Sequence, residues 1–356
     1  MIEKLSATIF VDYKNKNINM DEKIDNVMIL WDTFQDMSIK RSGLKQSSIQ
    51  TFETTRKSLM KFRLWLISNG KDKNFVLSYY YLTHEGIDDF YEFLISEKLK
   101  NTTIHKRFIY YKKFLYWLGD KGYIVNGVVR KIEEPRLQTI QKKVVYLTIE
   151  ELQAFYRADI SNEGRIAEEV RDSFVFACFT GLRFSDLIKF NWDEVEFKEN
   201  RIAFVSQKTS HLTYVELNNV SKNILFKHFK SKSSHLVFDI PKYTITYNKI
   251  LKRIARKLRF MRIIEQTQYS GTAKIVTRTR LWQAMSSHTA RRTFVCLCLH
   301  LDIRHEMVMK WTGHTTYRGI KPYIDVMDSA RQEQMNKLNA WESSRTSTND
   351  NEKKKK

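Results

Sequence analysis

The sequence predicts a mainly α-helical protein of two domains, an all-α bundle followed by a mixed α+β domain. Its 356 residues exceed one typical domain, and 42% hydrophobic residues with only 3 prolines favour packed helical cores. Apolar residues recur at helical spacing in the first third of the chain, and alternating segments later on predict hairpins. We expect an N-terminal extension at 1–26, the bundle at 27–134, a linker at 135–147, the second domain at 148–341 and a disordered tail at 342–356.

The first domain is predicted to be a bundle of four helices with basic outer faces. The clearest apolar stripe lies in residues 103–119, whose other faces carry lysine and arginine. This stripe consists of Ile104, Phe108, Tyr111, Leu115 and Leu118. Similar spacing predicts the other helices at 27–37, 47–68 and 83–99.

The second domain is predicted to open with a capping box at Thr148 and Glu151, in which each side chain accepts a hydrogen bond from the other residue's backbone amide. Alternating segments around polar turns predict two β-hairpins, made of residues 201–206 with 212–217 and of 261–268 with 273–282. Helical spacing predicts the last helices at 288–301, 303–311 and 325–341. The domain is therefore expected to be mixed α+β.

The charge balance indicates a polyanionic partner. The chain carries 61 Lys and Arg against 40 Asp and Glu, a formal net charge of +21. Basic groups that neutralise phosphates release counterions, which strengthens binding to nucleic acid. We therefore expect a nucleic acid as the partner, although charge alone is also compatible with a merely soluble basic protein.

Cysteine use and hydropathy predict an intracellular protein. The chain has 3 cysteines, Cys178, Cys296 and Cys298, all in apolar stretches, which is typical of reduced core thiols. No run approaches the 18 or so uninterrupted apolar residues of a membrane span. We expect the cytoplasm of a bacterium, beside the chromosomal DNA of the nucleoid.

Five short segments in the second half contain residues suited to phosphoryl transfer. Each residue alone has an ordinary structural explanation, such as a solvated helix start, a capping histidine or a half-buried tyrosine. Together they supply a nucleophile, cationic groups for the phosphate oxygens and a proton donor for the leaving oxygen. The candidates are Arg183, Lys208, His288, Arg291, His314 and Tyr323.

The spacing of these candidates fits a shared site. His288 and Arg291 are one helical turn apart, so both can point at one atom. Two arginines provide permanently charged forks that match phosphate geometry. Gly313 permits a tight turn into His314 and the loop before Tyr323. Because side chains supply the positive charge, we expect neither a metal nor another cofactor.

The order Arg, Lys, HxxR, His and Tyr resembles the active-site hexad of the tyrosine recombinases. The segments TGLR, SSHTARRTF, TGH and KPYI are similar to those of integrases from phages and mobile elements, conjugative transposons included. The resemblance covers roughly residues 45–341, and the 9-residue step from His314 to Tyr323 fits the usual spacing of the family. It implies an all-α core-binding domain and a catalytic domain of the tyrosine recombinase and type IB topoisomerase type.

The resemblance also implies a role for each candidate. Tyr323 would attack the scissile phosphate to form a 3′-phosphotyrosyl bond and free a 5′-hydroxyl. Arg183 and Arg291 would hold the non-bridging oxygens, and His314 would donate a further hydrogen bond to the phosphate. The phosphotyrosyl bond would conserve the energy of the cleaved bond, so neither ATP nor a divalent metal would be needed.

Three other residues would assist this chemistry. Lys208 would protonate the departing 5′ oxygen from its hairpin turn, and His288 would orient or deprotonate the tyrosine. Asp186, one turn after Arg183, would orient that arginine, although it could also be a solvated helix-surface residue.

By the same resemblance, the protein would recombine double-stranded DNA as a homotetramer on two paired sites, with accessory DNA-bending or directionality proteins as further partners. The reaction would integrate, excise or invert a mobile element. The apolar stripe in residues 324–341 would pack either on its own domain or on a neighbouring protomer. Residues 1–26 are short for the arm-binding domain that many integrases carry. We therefore expect either a protein with a simpler recombination reaction or a truncated form of a longer integrase.

Three alternatives to a recombinase remain. A type IB topoisomerase would relax DNA with nearly the same residues, without paired sites. A non-catalytic DNA-binding factor could retain the fold, although the complete hexad argues against it. A DNA-cleaving metalloenzyme is disfavoured because no acidic triad at usable spacing accompanies the basic residues.

Overall fold

The protein forms two compact units in a computed structural model. One unit comprises Met1–Ile140 with Thr267–Ile275, and the other comprises Gln141–Gln266 with Val276–Lys356. The division after Ile140 falls inside the predicted linker. The structure describes residues 20–42, 46–75, 77–83, 86–123, 137–140, 143–207, 211–230 and 234–324.

The described residues of the first unit form five helices. They are α1 (Met20–Ser42), α2 (Gln46–Ser68), α3 (Tyr79–Thr83), α4 (Gly86–Ser96) and α5 (Asn101–Asp120). Their core is rich in aromatic rings: the ring of Trp31 lies 5.0 Å from that of Phe114, and Phe62 lies 5.2 Å from Phe90. All five apolar residues of the predicted α5 stripe are buried. The lysines of α5 remain on its outer faces, because they are separated from the stripe by the helical period.

Two helices of this unit differ from their predicted bounds. The helix predicted at 27–37 is observed as α1, which is longer at both ends and runs from Met20 to Ser42, because the flanking residues contain no Pro or Gly to end it. The predicted helix at 83–99 is observed as α4, which ends at Ser96. Lys98 has a positive φ of 51°, and this left-handed conformation stops the helix three residues early.

The second unit combines helices with a small sheet. Its first part contains α6 (Ile149–Tyr156), α7 (Arg165–Thr180), α8 (Phe184–Leu187) and strands β1 (Val195–Glu196), β2 (Arg201–Val205) and β3 (Leu212–Glu216). The strands form one antiparallel sheet in sequence order, with Ala203 opposite Tyr214. The helix α7 is buried over most of its length, and the predicted capping box of Thr148 and Glu151 begins α6.

The later elements of this unit carry most of the candidate residues. They are α9 (Asn219–Lys230), α10 (Thr244–Lys257), β4 (Ile263–Ser270), β5 (Ala273–Arg280), α11 (Leu281–Ala284), α12 (Ser287–His300), α13 (His305–Thr312) and α14 (Tyr317–Ile324). Strands β4 and β5 form the second predicted hairpin, whose distal part belongs to the first unit. No helix in the described ranges is both long and apolar enough to cross a bilayer. The predicted helix at 325–341, the tail at 342–356 and Lys208 lie outside the described residues.

Candidate active site

Four of the predicted site residues meet in the second unit. Arg183 immediately precedes α8, Arg291 lies on α12, His314 follows α13 and Tyr323 lies on α14. The guanidinium Nη2 of Arg291 is 3.4 Å from Nε2 of His314, and the rings of His314 and Tyr323 are 6.4 Å apart. Arg183 and Arg291 each interact electrostatically with Tyr323. The fold therefore gathers two guanidinium groups, an imidazole and a phenol that are far apart in sequence.

Arg291 is held by the ends of two helices. Its side chain donates one hydrogen bond to the carbonyl of Gly181 (2.9 Å) and another to the carbonyl of Thr312. These carbonyls lie at the C-terminal ends of α7 and α13, where the helix dipole places partial negative charge. Burial and the nearby charge of Arg183 lower the pKa of Arg291 to about 9, so the group is still charged at neutral pH.

Glycines end both of those helices. Gly181 and Gly313 are the C-caps of α7 and α13, with left-handed φ values of 72° and 60°. A side chain at Gly181 would also clash, because its Cβ would lie 2.6 Å from the ring of Phe294. The TGL and TGH segments thus encode two helix ends that turn their last carbonyls toward Arg291.

The imidazole of His314 is oriented through Thr312. The hydroxyl of Thr312 donates to the carbonyl of Val308, and it lies 2.8 Å from Nδ1 of His314. Because its proton is already used, that hydroxyl accepts a hydrogen bond from Nδ1. The proton of the neutral imidazole is therefore on Nδ1, and Nε2 is the acceptor that faces Arg291.

Tyr323 is a buried phenol in a basic setting. Only 7% of the residue is exposed, and it packs with Phe294, Cys296 and Ile320 where α12 and α14 meet. The pKa of Tyr323 is raised above its ordinary value, because burial outweighs the positive charges of Arg292 and Arg291, which lower it. The arginines thus favour the ionised phenol but do not overcome the effect of burial.

Arg183 and Asp186 both hold the end of β2. Arg183 donates to the hydroxyl of Ser206 (3.2 Å), and Oδ1 of Asp186 accepts from the backbone amide of Gln207 (2.8 Å). Asp186 is buried and also acts on Arg183 through its charge. These contacts position the chain immediately before Lys208, which itself lies outside the described residues.

His288 lies in the first turn of α12, one turn before Arg291, and is exposed. The preceding residue, Ser287, donates its amide to the side chain of Asn248 on α10 (2.7 Å). This bond fixes the start of α12 and therefore the place where His288 leaves the helix.

The phage integrase family matches residues 146–330, slightly more than half of the chain. The chain belongs to the phage integrase family. It is a tyrosine recombinase, an enzyme of site-specific DNA recombination. Comparison with curated protein sequences finds no significant match.

Solved structures share the fold of this recombinase at low sequence identity. The Tn1549 transposon integrase in complex with transposon right end DNA is 14% identical, with a TM-score of 0.57 over 87% of this chain and 98% of that one. A lambda integrase dimer bound to a COC′ core site is 16% identical, with a TM-score of 0.60 over 84% and 95%. A lambda integrase tetramer bound to a Holliday junction is also 16% identical, with a TM-score of 0.59 over 90% and 85%.

Arg292 and Thr312 also belong to this recombinase site, although neither was predicted from the sequence. Arg292 follows the HxxR segment directly and acts on Tyr323 through its charge. Thr312 precedes Gly313 and holds both Arg291 and His314. The second arginine, directly after Arg291, was a feature of the sequence that could have indicated Arg292 as a site residue. Thr312 binds Arg291 through its backbone carbonyl, which no side-chain motif reveals.

Proposed function

We propose that this recombinase cleaves and rejoins DNA through a 3′-phosphotyrosyl bond to Tyr323. The observation that carries the proposal is the convergence of Arg183, Arg291 and His314 on the phenol of Tyr323. A phosphate beside this phenol would have two guanidinium groups for its non-bridging oxygens, and such fixed charges stabilise the transition state of phosphoryl transfer.

The proposed cleavage step exchanges one phosphoester bond for another and transfers protons between named groups. The phenolic oxygen of Tyr323 forms a bond to phosphorus while the bond from phosphorus to the 5′ oxygen breaks. Lys208 gives a proton to that oxygen, and His288 orients the tyrosine or takes its proton. His314 donates to the phosphate through Nε2 in its protonated state, since Nε2 of the neutral imidazole is an acceptor. Rejoining is the reverse reaction, and no step uses ATP.

The two parts of the chain are assigned different tasks. We propose residues 27–134 as the domain that binds the core site and 148–341 as the catalytic domain, joined by the linker 135–147. The net charge of +21 and the lysines on the outer faces of α5 support binding to the DNA backbone. The related integrases named above were solved with DNA, which supports the same partner.

The proposed assembly is a homotetramer on two paired DNA sites. The lambda integrase was solved as a dimer on a core site and as a tetramer on a Holliday junction, which supports an assembly of several protomers. Integration, excision or inversion of a mobile element is the proposed outcome, with accessory DNA-bending or directionality proteins, at the chromosomal DNA of a bacterial cytoplasm. The likeness to a transposon integrase supports the mobile element.

The nucleophile is tested with Tyr323→Phe, which removes only the hydroxyl. The full chain is mixed with nicked substrate DNA in EDTA, and the covalent protein–DNA adduct is measured on a denaturing gel. The wild type should form the adduct, and Tyr323→Phe should form none while binding DNA with nearly unchanged affinity. Tyr317→Phe, at an exposed residue of the same helix, is the matched control and should retain the adduct. A normal adduct from Tyr323→Phe would assign the chemistry to another residue.

A further inference from the structure

Thr312 connects two of the groups that the proposed mechanism places on the phosphate beside Tyr323. It is the last residue of α13, and only 2% of it is exposed. Its backbone carbonyl accepts a hydrogen bond from the guanidinium of Arg291, and its hydroxyl lies 2.8 Å from Nδ1 of His314. One residue therefore bonds to both groups, through two atoms whose separation depends on its own backbone and χ1 angle.

The side chain of Thr312 is itself held in place. A β-branched residue in a helix has few allowed χ1 rotamers. The hydroxyl donates to the carbonyl of Val308, one turn earlier in α13. The methyl group packs beside Gly181, since a Cβ at that glycine would lie 3.1 Å from it. The position of the hydroxyl oxygen is therefore fixed by the packing of the second unit.

The imidazole of His314 meets fixed groups on three sides. Nδ1 faces the hydroxyl of Thr312, and Nε2 lies 3.4 Å from Nη2 of Arg291. Its Cδ2 lies beside Gly319 on α14, where a Cβ would come within 3.0 Å of it. Both the neutral ring described above and the protonated ring carry a proton on Nδ1, so the bond to the hydroxyl persists while Nε2 gains or loses its proton. The ring thus keeps one orientation in both states.

We propose that Thr312 is a positioning residue that aligns His314 with Arg291 on one phosphate. Its hydroxyl acts only through the imidazole, and its carbonyl acts through the guanidinium. The inference rests on the proposed role of His314 as a donor to that phosphate. Thr312 forms no covalent bond and transfers no proton. Loss of its hydroxyl should let the ring rotate and exchange tautomers, so that Nε2 is directed at the phosphate in a smaller fraction of the molecules.

The test is a double-mutant cycle of Thr312→Val and His314→Ala in the full-length protein. Valine replaces only the hydroxyl by a methyl group and keeps the backbone carbonyl. Single-turnover adduct formation on saturating nicked DNA should fall about 10-fold in Thr312→Val, as for the loss of one hydrogen bond. With His314→Ala already present, the same change should alter the rate by less than about 2-fold, because no ring remains to be held. Thr312→Ser retains the hydroxyl and should keep most of the wild-type rate.

A second measurement observes the imidazole directly. Nitrogen NMR of protein labelled at histidine gives separate signals for the two ring nitrogens, and the signals of His314 are assigned by their loss in His314→Ala. The neutral ring should carry its proton on Nδ1 in the wild type and should be a mixture of both tautomers in Thr312→Val. A merely structural role of the hydroxyl would not change this signal.

The matched control is Thr180→Val at the end of α7. Thr180 is buried, donates to the carbonyl of Phe176 one turn earlier (2.8 Å) and precedes the glycine that caps its helix. Among the described residues, its hydroxyl has no second partner comparable to His314. Thr180→Val should therefore leave both the rate and the NMR signal of His314 unchanged.

The outcomes separate this inference from the proposed function. Should Thr312→Val not fold, Thr312→Ala also lacks the hydroxyl and should show both effects. Equal slowing by the loss of the hydroxyl with and without the imidazole, or an unchanged NMR signal, overturns the inference. Adduct formation by His314→Ala at the wild-type rate would instead refute the proposed role of His314, and the inference would fall with it.

Discussion

Arg291 keeps its charge although only 3% of the residue is exposed. A buried guanidinium is stable only when its donors are satisfied, and here the carbonyls of Gly181 and Thr312 accept two of them. Both bonds also fix the plane of the fork before any substrate binds. The residue is therefore preorganised, which is the property that makes a charge effective in a transition state.

The planar guanidinium fork of Arg291, as well as its charge, is predicted to be necessary for DNA cleavage. Arg291→Lys keeps a positive charge but cannot bind both carbonyls and a phosphate in one plane. We expect adduct formation on saturating DNA to fall about 100- to 1000-fold, as for loss of a preorganised donor, with little change in DNA affinity. The same exchange at the exposed Arg165 should leave the rate unchanged. Cleavage by Arg291→Lys at the wild-type rate would show that charge alone suffices.

At the level of residues, the sequence was sufficient to predict a shared location for residues with a characteristic side chain and spacing. Arg183, Arg291, His314 and Tyr323 were predicted as one site, and the structure brings them together. The effect of the Arg292 charge on Tyr323 was not predicted, because it depends on the packing of α12 against α14. The catalytic roles of all these residues stay predictions.

Helices α7 and α9 are joined by a buried ion network. Asp172 on α7 is 3% exposed, and it accepts hydrogen bonds from Arg171 (2.8 Å), from Lys227 (2.7 Å) and from His228 (3.1 Å) on α9. Burial opposes its ionisation, but the bonds from His228, Lys227 and Arg171 outweigh that cost and lower the pKa of Asp172 to about 2. The carboxylate thus connects the scaffold helix that ends at Gly181 to its neighbour.

Asp172→Asn is predicted to destabilise the second unit in a pH-dependent way. The pKa of the folded state lies below the ordinary value of 3.8, so the ionised group stabilises the fold above about pH 4. That stabilisation, about 2 kcal/mol, should be lost as the pH falls from 4 toward 2. Urea denaturation should show a lower free energy of unfolding for the variant at pH 7 and a smaller difference near pH 3.

The matched control for this network is Asp239→Asn. Asp239 pairs with Arg165 on the surface, where an ion pair contributes little, so its loss should hardly change stability. Equal stability of Asp172→Asn and the wild type at pH 7 would mean that the network does not join the helices.

At the level of elements, sequence patterns predicted the features that depend on interactions between neighbouring residues. The capping box of Thr148 and the hairpin of β2 and β3 occur where the sequence placed them, because neighbouring residues determine both. The early end of α4 was not predicted, since the apolar spacing continues past the left-handed residue Lys98 that ends the helix. No local sequence pattern predicted the hydrogen bonds between Asp172 and α9 either.

For the whole molecule, the segment after Tyr323 is predicted to control assembly. Its apolar residues Met327, Met335, Leu338 and Trp341 recur at roughly helical spacing and must be covered. If a neighbouring protomer covers them, deletion from Leu338 onward should leave binding to a single site unchanged. The same deletion should reduce formation of the paired-site complex, measured by gel shift, and recombination, measured by product formation.

Deletion from Glu342 onward is the control for this prediction. It removes only the polar tail and should leave pairing and recombination intact, because no apolar residue of the stripe is lost. Recombination at the normal rate after deletion from Leu338 would exclude docking on a neighbour and leave the chemistry of Tyr323 unaffected.

The sequence by itself determined the mainly helical fold and the basic charge that suits DNA, and it named the candidates for the reactive groups. These properties follow from composition, periodicity and side-chain chemistry, which are local to each segment. Only the tertiary structure decided how those groups are held. The carbonyls that bind Arg291 and the arginine charges that act on Tyr323 come from helix ends and faces that are distant in sequence. Their energies depend on burial and orientation, and these exist only once α7, α12, α13 and α14 have packed together.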